Sequence, residues 1–417
     1  MKTIAQWGRI HPCLTARKLG VAISLGFLGQ ALSAQPVVNP HAGEKIGTVE
    51  QVYDGALLPD VQINTFRNID RLFPTRAVRH GRVVYPLRVS DHQLQNVRFK
   101  SGGKDYDLYD YVSLNRVTGL LVIKNAGIAF ENYQSGNSEQ TRWMSMSVAK
   151  SITGTLIGAA IKDGHIKSID DPITNYLPRL AGSAYDGVTV RQLLQMVSGV
   201  KWNESYTDPH SDRRRLLEIQ NEQKAGAALG LMAQLPRAAA PGSRWNYSTG
   251  ETQVAAALLR AAVGQPLSEY LSERIWARFG MESDATWWLE SADGLEIGGS
   301  GLSATLRDYG RFGLFLLGGG QAGGERILPD GWVEEAGSAK LIGGKSVDYG
   351  YMLWPIPNAH GTIHEGAFEA HGIFGQHLYM NPRENLVIVA WGALPKPSGK
   401  AVVRDYDFFG AVARALH

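Results

Sequence analysis

A serine three residues ahead of a lysine is a minimal hydrolytic unit. On a helix the two side chains share a face, and an amine that has lost its proton can take one from the hydroxyl. The chain holds this spacing three times, at Ser101–Lys104, Ser147–Lys150 and Ser198–Lys201. Their surroundings differ. Ser101-Gly-Gly-Lys104 reads as a loop, where nothing fixes the pair, and Ser198-Gly199 follows a short helical run and reads as a helix stop. Only Ser147 opens a strong helical pattern, with Val148, Ile152, Leu156, Ile157, Ala160 and Ile161 at helical spacing before Asp163-Gly164. At a helix N-terminus the free backbone N–H groups favour developing negative charge, so the Ser147 N–H would supply half of an oxyanion hole. The plainer alternative is a serine cap beside a solvated lysine.

Other chemistries fare worse. His364 and His371, with Glu365 between them, lack a recognised metal spacing and lie in a glycine-rich stretch, so no metal and no cofactor are expected. No G-x-S-x-G elbow is present. The only cysteine is Cys13, which removes disulfides, thiol nucleophiles and cysteine-ligated metal from the mature chain. The glycines at 318–320 form no phosphate-binding pattern.

Around the candidate serine, the pattern places a hairpin at Thr118–Tyr133, turning at 124–127, and helices near 190–196, 252–263, 267–279 and 306–317. A second hairpin follows, 376–380 turning into 386–391, and then a helix over 402–416. Residues 35–103 show no sustained period and read as an extended arm or small subdomain. The expectation is an α/β protein of the α+β type, in which a mainly antiparallel sheet is formed by both chain ends around an inserted all-helical region at roughly 160–300. In domain terms this gives a signal at 1–34, an N-terminal extension at 35–103 and a hydrolase domain at 104–417.

Two further motifs follow Ser147. Arg244-Trp-Asn-Tyr-Ser-Thr249 precedes a helix, and His371-Gly-Ile-Phe-Gly-Gln376 enters a late strand. In order and approximate spacing the three resemble the motifs of the serine β-lactamase and penicillin-binding protein superfamily. The resemblance is to its class C-like branch, and there to the 6-aminohexanoate-dimer hydrolases and related esterases. Supporting stretches are Trp143–Ser151, Asp170–Pro178, Leu193–Gly199 and Gly301–Thr305, so the resemblance runs from about Gly119 to the C-terminus. It implies a serine β-lactamase-like fold, Ser147 as the acylated nucleophile, Lys150 as its proton partner, and Tyr247 exchanging protons with the serine and the leaving group. The literal Tyr379-Met-Asn381 runs into a hairpin turn and is the weaker match. Thr249 stands where the family places an asparagine, His371 where it places a lysine, and Ile373 where it places a glycine. The Ile373 N–H would be the second oxyanion donor, and Tyr206 falls in the stretch that supplies a substrate-covering tyrosine. Three functions fit: an amidase or esterase acting through an acyl-enzyme on Ser147, a β-lactamase or DD-peptidase, and a sensor domain that acylates without turnover. His371 and Ile373 favour the first.

The N-terminus reads as an export signal. Lys2, Arg9, Arg17 and Lys18 precede an apolar stretch from Leu19 to Leu28, and small residues end at Ala34. That stretch is well short of the roughly 20 residues a spanning helix needs, so cleavage after Ala34 and a periplasmic or secreted bacterial product are expected, with no membrane span. Four of the 42 basic residues, and none of the 39 acidic ones, lie in this segment, which leaves the remainder at net −1. Such a balance disfavours nucleic-acid binding. The expected partner is a small-molecule amide or ester.

Overall fold

The strand Val117–Lys124 separates two hydrophobic cores. Leu121 and Ile123 face one, with Phe312, Phe315, Val387 and Val389, while Leu120 and Val122 face the other, with Tyr111, Ile388, Phe408 and Phe409. Successive side chains of a strand point to opposite faces. A strand covered on both sides therefore reads as one apolar run. The structure is a computed structural model and describes residues 38–417. The proposed signal, its cleavage point at Ala34, and Cys13 lie outside the described residues.

Seven strands form the main sheet: β1 (Arg88–Val89), β2 (Val117–Lys124), β3 (Gly127–Tyr133), β4 (Trp354–Pro355), β5 (Phe368–Gly372), β6 (Gln376–Asn381) and β7 (Leu386–Gly392). Their order is β4–β5–β6–β7–β2–β3–β1, antiparallel except for the short parallel pair of β1 with β3. The two chain ends thus share one sheet, as expected. The helix Leu306–Leu317 covers one face; Leu108–Leu114 and Asp405–Ala415 cover the other.

A second, four-stranded antiparallel sheet runs in the order Thr75–Val78, Ala285–Trp288, Leu302–Thr305, Arg142–Met144. The last two of these strands are completely buried. Burial on both faces removes the polar alternation that marks a strand, and four residues are too few to show a period. The strand Arg142–Met144 leads straight into Ser147.

Between residues 145 and 284 the described chain carries helices and turns but no strand. The helix Val148–Lys162 packs against Thr249–Val263, and both are buried along most of their length. Residues 38–103 carry two short helices, Val49–Asp54 and Pro59–Phe66. The first is closed by a Thr48–Gln51 capping box and the second begins on a proline. At six and eight residues they are too brief to show a period, yet Tyr53 and Phe66 are fully packed into the main core.

Candidate active site

Ser147 sits at the N-cap of its helix, but its hydroxyl makes no capping bond. Instead Lys150 Nζ donates to Ser147 Oγ at 3.0 Å and to the Gly299 carbonyl oxygen at 2.9 Å. A side chain at Gly299 would crowd this contact, since its Cβ would lie 3.2 Å from Lys150 Nζ and 3.0 Å from Thr249 Cγ2. The residue before the serine, Met146, has φ of 43°, a left-handed conformation that is uncommon outside glycine. The turn from strand to helix is therefore strained at the point where it presents Ser147. Burial pulls the Lys150 ammonium down to about 7; Glu204 opposes this and Arg213 adds to it. A lysine so placed is half neutral near physiological pH and can accept a proton.

Tyr247 comes two residues before the helix Thr249–Val263, which is capped by Ser248 Oγ accepting from the Glu251 N–H. The Lys150 Nζ lies 5.3 Å from the centre of the Tyr247 ring. Burial and the Glu204 carboxylate push the phenol above its ordinary value, against a lowering hydrogen bond to Ser147 and the Arg213 charge. Tyr247 is thus a neutral phenol at rest, with its proton in place. Its ring is wedged by Tyr349 at 5.9 Å and Trp354 at 5.5 Å.

The cleft has a volume of about 760 Å³ and is lined by Ser147, Tyr206, Tyr247, Trp354, His371 and Ile373, among others. Gly372 sets how closely β5 approaches the serine turn. A Cβ there would lie 2.9 Å from the Ser145 carbonyl oxygen and from Met146 Cβ. Immediately after it, the Ile373 carbonyl accepts from the Ser398 N–H at 2.7 Å. Neither the Ser147 nor the Ile373 N–H is engaged in a backbone bond of the surrounding turns among the described residues. Two free donors at the rim of one cleft suit an oxyanion.

Three residues that sequence reasoning passed over complete the site. Glu204 accepts from the Thr249 N–H at 2.8 Å, the Thr249 hydroxyl, the Trp202 indole and the Tyr206 hydroxyl at 3.0 Å. Both hydrogen-bonding groups of Thr249 are thereby turned toward this carboxylate. Glu369 is buried beneath His371, accepting from His371 Nδ1 at 3.0 Å, His377 Nδ1 at 2.9 Å and the Tyr406 hydroxyl at 2.7 Å. Burial alone would raise this carboxyl, but the two imidazoles hold it well below its usual range. Burial likewise lowers His377, which Asp405 and Glu369 outweigh, holding it at about 9. His371 stacks on Trp354, with ring centres 4.9 Å apart. Glu369 and His371 are two residues apart on one strand, the spacing of a single strand face and the only signal the sequence offered for Glu369. The third residue is Arg213, fully buried on the helix Asp212–Asn221.

The family model described as Beta-lactamase matches residues 115–408. A 6-aminohexanoate-dimer hydrolase of Paenarthrobacter ureafaciens is 32% identical over 292 residues, covering 66% of this chain and 72% of that protein. Among solved structures, a Bacillus anthracis protein assigned as a 6-aminohexanoate-dimer hydrolase superposes with a TM-score of 0.70 at 24% identity, over 86% of this chain and 92% of that one. A D-stereospecific amidohydrolase from Streptomyces superposes with a TM-score of 0.52 at 18% identity, over 69% and 94% respectively. At these identities the structural matches speak for the fold.

Proposed function

The chain belongs to the Beta-lactamase family and is a hydrolase, and from that premise we propose that it cleaves an amide or ester through an acyl-enzyme on Ser147. The observation that carries this reading is the 3.0 Å contact between Ser147 Oγ and a buried lysine held at about 7. Once Lys150 is neutral, the contact reverses and the serine O–H donates to the amine. As Oγ attacks the carbonyl carbon, the proton passes to Lys150, and the Ser147 and Ile373 N–H groups bind the oxygen as it becomes negative. Tyr247 then protonates the departing nitrogen or oxygen and the acyl-enzyme forms. Water repeats the sequence in reverse, releasing the acid. The hydrolytic domain is assigned to residues 104–417, and Tyr206 covers the bound substrate.

A linear amide or ester is preferred over a β-lactam or a D-Ala-D-Ala peptide. His371, hydrogen-bonded to buried Glu369, is a poor substitute for a free lysine cation as a carboxylate anchor. The branched side chain of Ile373 also narrows the edge of the cleft. The relative from Paenarthrobacter, named for the dimer of 6-aminohexanoate, supports an amide substrate. We also propose export, with cleavage after Ala34.

Incubation with a p-nitrophenyl ester, a linear aminohexanoate dimer, a chromogenic cephalosporin and a D-Ala-D-Ala peptide tests the assignment. Labelling with a serine-reactive phosphonate, followed by peptide mapping, tests the nucleophile. Turnover of ester or dimer with label on Ser147 is expected. Label elsewhere, or a cephalosporin preferred tenfold or more, overturns it.

A further inference from the structure

We propose that His371 is a specificity-determining residue that offers the substrate a hydrogen-bond acceptor. Its Nδ1 is tied to buried Glu369, which leaves Nε2 to receive an N–H from the bound molecule. The inference rests on this cleft as the acyl-transfer site and names the substrate class, an amide or ester whose chain carries an N–H. His371 lies two residues after Glu369 on β5, on the same strand face, and pairs across the sheet with His377 of β6. Its side chain is 36% exposed where it lines the cleft, against 1% for Glu369 beneath it. The imidazole stacks on Trp354, whose ring centre lies 5.5 Å from that of Tyr247. One aromatic wall thus joins His371 to the tyrosine beside the nucleophile.

The hydrogen bonds beneath the ring decide which nitrogen is free. Glu369 meets His371 Nδ1 at 3.0 Å, His377 Nδ1 at 2.9 Å and the Tyr406 hydroxyl at 2.7 Å. An ionised carboxylate only accepts, so the His371 proton sits on Nδ1. The charge that answers Glu369 is His377. That ring lies between two carboxylates, with its Nε2 3.5 Å from Asp405 Oδ2, so both of its nitrogens carry protons. Asp405 is met separately, by the Tyr111 hydroxyl at 3.0 Å and by its place in the first turn of its helix. Neither carboxylate needs a second imidazolium. In the neutral His371 ring the lone pair falls on Nε2, which makes no hydrogen bond among the described residues. A lysine at this edge would donate and select a carboxylate. A bare imidazole nitrogen disfavours a carboxylate and selects a donor.

p-Nitrophenyl esters over a series of acyl lengths test this at pH 8, each made with an amide N–H, an N-methyl amide, a terminal ammonium or a terminal carboxylate. At the length that brings the N–H to Nε2, its kcat/KM should exceed that of the N-methyl partner by roughly three- to tenfold, the worth of one hydrogen bond. The ammonium ester should also exceed the carboxylate ester. His371→Ala should bring the N–H ratio to about one, and His371→Lys should turn the preference toward the carboxylate. A two-bond proton–nitrogen NMR correlation of the unmodified protein, assigned against whichever variant folds, should show His371 with Nδ1 protonated and Nε2 bare. A proton on Nε2 overturns the proposal. So do equal kcat/KM values for the N–H and N-methyl esters at every length, even with the ammonium preferred, since charge alone would then select. Failure of every ester to turn over, with no phosphonate label on Ser147, would instead overturn the acyl-enzyme reading beneath it.

Discussion

Replacing Lys150 with methionine should abolish turnover and stabilise the protein at the same time. The amine is held at about 7 against 10.5 for a free lysine. With 1.36 kcal/mol per factor of ten, keeping this group in the folded state at pH 7 costs about 4 kcal/mol. Methionine removes that cost at similar volume, but it leaves the Gly299 carbonyl without its 2.9 Å donor, a loss of roughly 1–3 kcal/mol. The net expectation for Lys150→Met is a gain of about 1–3 kcal/mol at pH 7, visible as a melting temperature raised by several degrees. Turnover should fall by about 100-fold or more, the usual contribution of a general base. The pH dependence is the sharper test. Below the folded value of about 7 both folded and unfolded lysine are protonated, so the cost is fully present and the variant's advantage is greatest. As pH rises above it, the folded state sheds its proton while the unfolded chain keeps one. The advantage then shrinks by about 1.4 kcal/mol per pH unit toward 10.5. Urea melts of both proteins at pH 6, 7, 8 and 9 measure this slope. A difference that stays flat over that range would refute the depressed lysine and its use as the resting base.

Ser147→Ala should abolish hydrolysis with little change in melting, and Ser101→Ala should retain it. Ser198→Ala should also keep turnover, yet lose roughly 1–2 kcal/mol in denaturant melts because it removes the hydroxyl donor from the buried Glu251 carboxyl. Gly372→Ala should lower kcat/KM for a p-nitrophenyl ester by about tenfold or more. Its methyl group would press on the Ser145 carbonyl and Met146 and displace the Ile373 donor, whereas unchanged kinetics would remove Ile373 N–H from the oxyanion site. His371→Lys combined with Ile373→Gly should raise cephalosporin turnover relative to ester turnover; an unchanged ratio would mean that selectivity is set elsewhere.

The elements nearest Ser147 were legible because each carries a long apolar signal. The helix observed at Val148–Lys162 was expected from Ser147 to Ile161, and the hairpin β2–β3 lies where its glycine turn placed it. The helices at Asp212–Asn221 and Ala227–Gln234 were not foreseen. The first is dominated by arginine and other polar residues, and the second is apolar almost all round, so neither shows a clean stripe. Glu204 was hidden for a different reason. It stands in a polar loop, and its partners at Trp202, Tyr206 and Thr249 are assembled by the tertiary fold. Tyr53 was hidden in a six-residue helix, and its contact with Arg213 crosses 160 positions of sequence. Local pattern reports what a segment does alone, and these groups act only in company.

The sheet's own wiring sets the order in which the molecule can be built. Lys124 pairs with Leu386 and Val117 with Gly392, so the rungs joining β2 to β7 each close a loop of roughly 260 residues or more. On a ribosome, the hairpin β2–β3 emerges long before its central neighbour exists, with the edge of an apolar strand exposed in the meantime. High contact order of this kind makes folding slow and the unfinished chain prone to aggregate. The same delay would suit a chain passing through a secretion channel, which must stay threadable until it has crossed. A polypeptide cut short of Leu386 lacks the middle strand of its main sheet and cannot complete either of the two cores that strand divides.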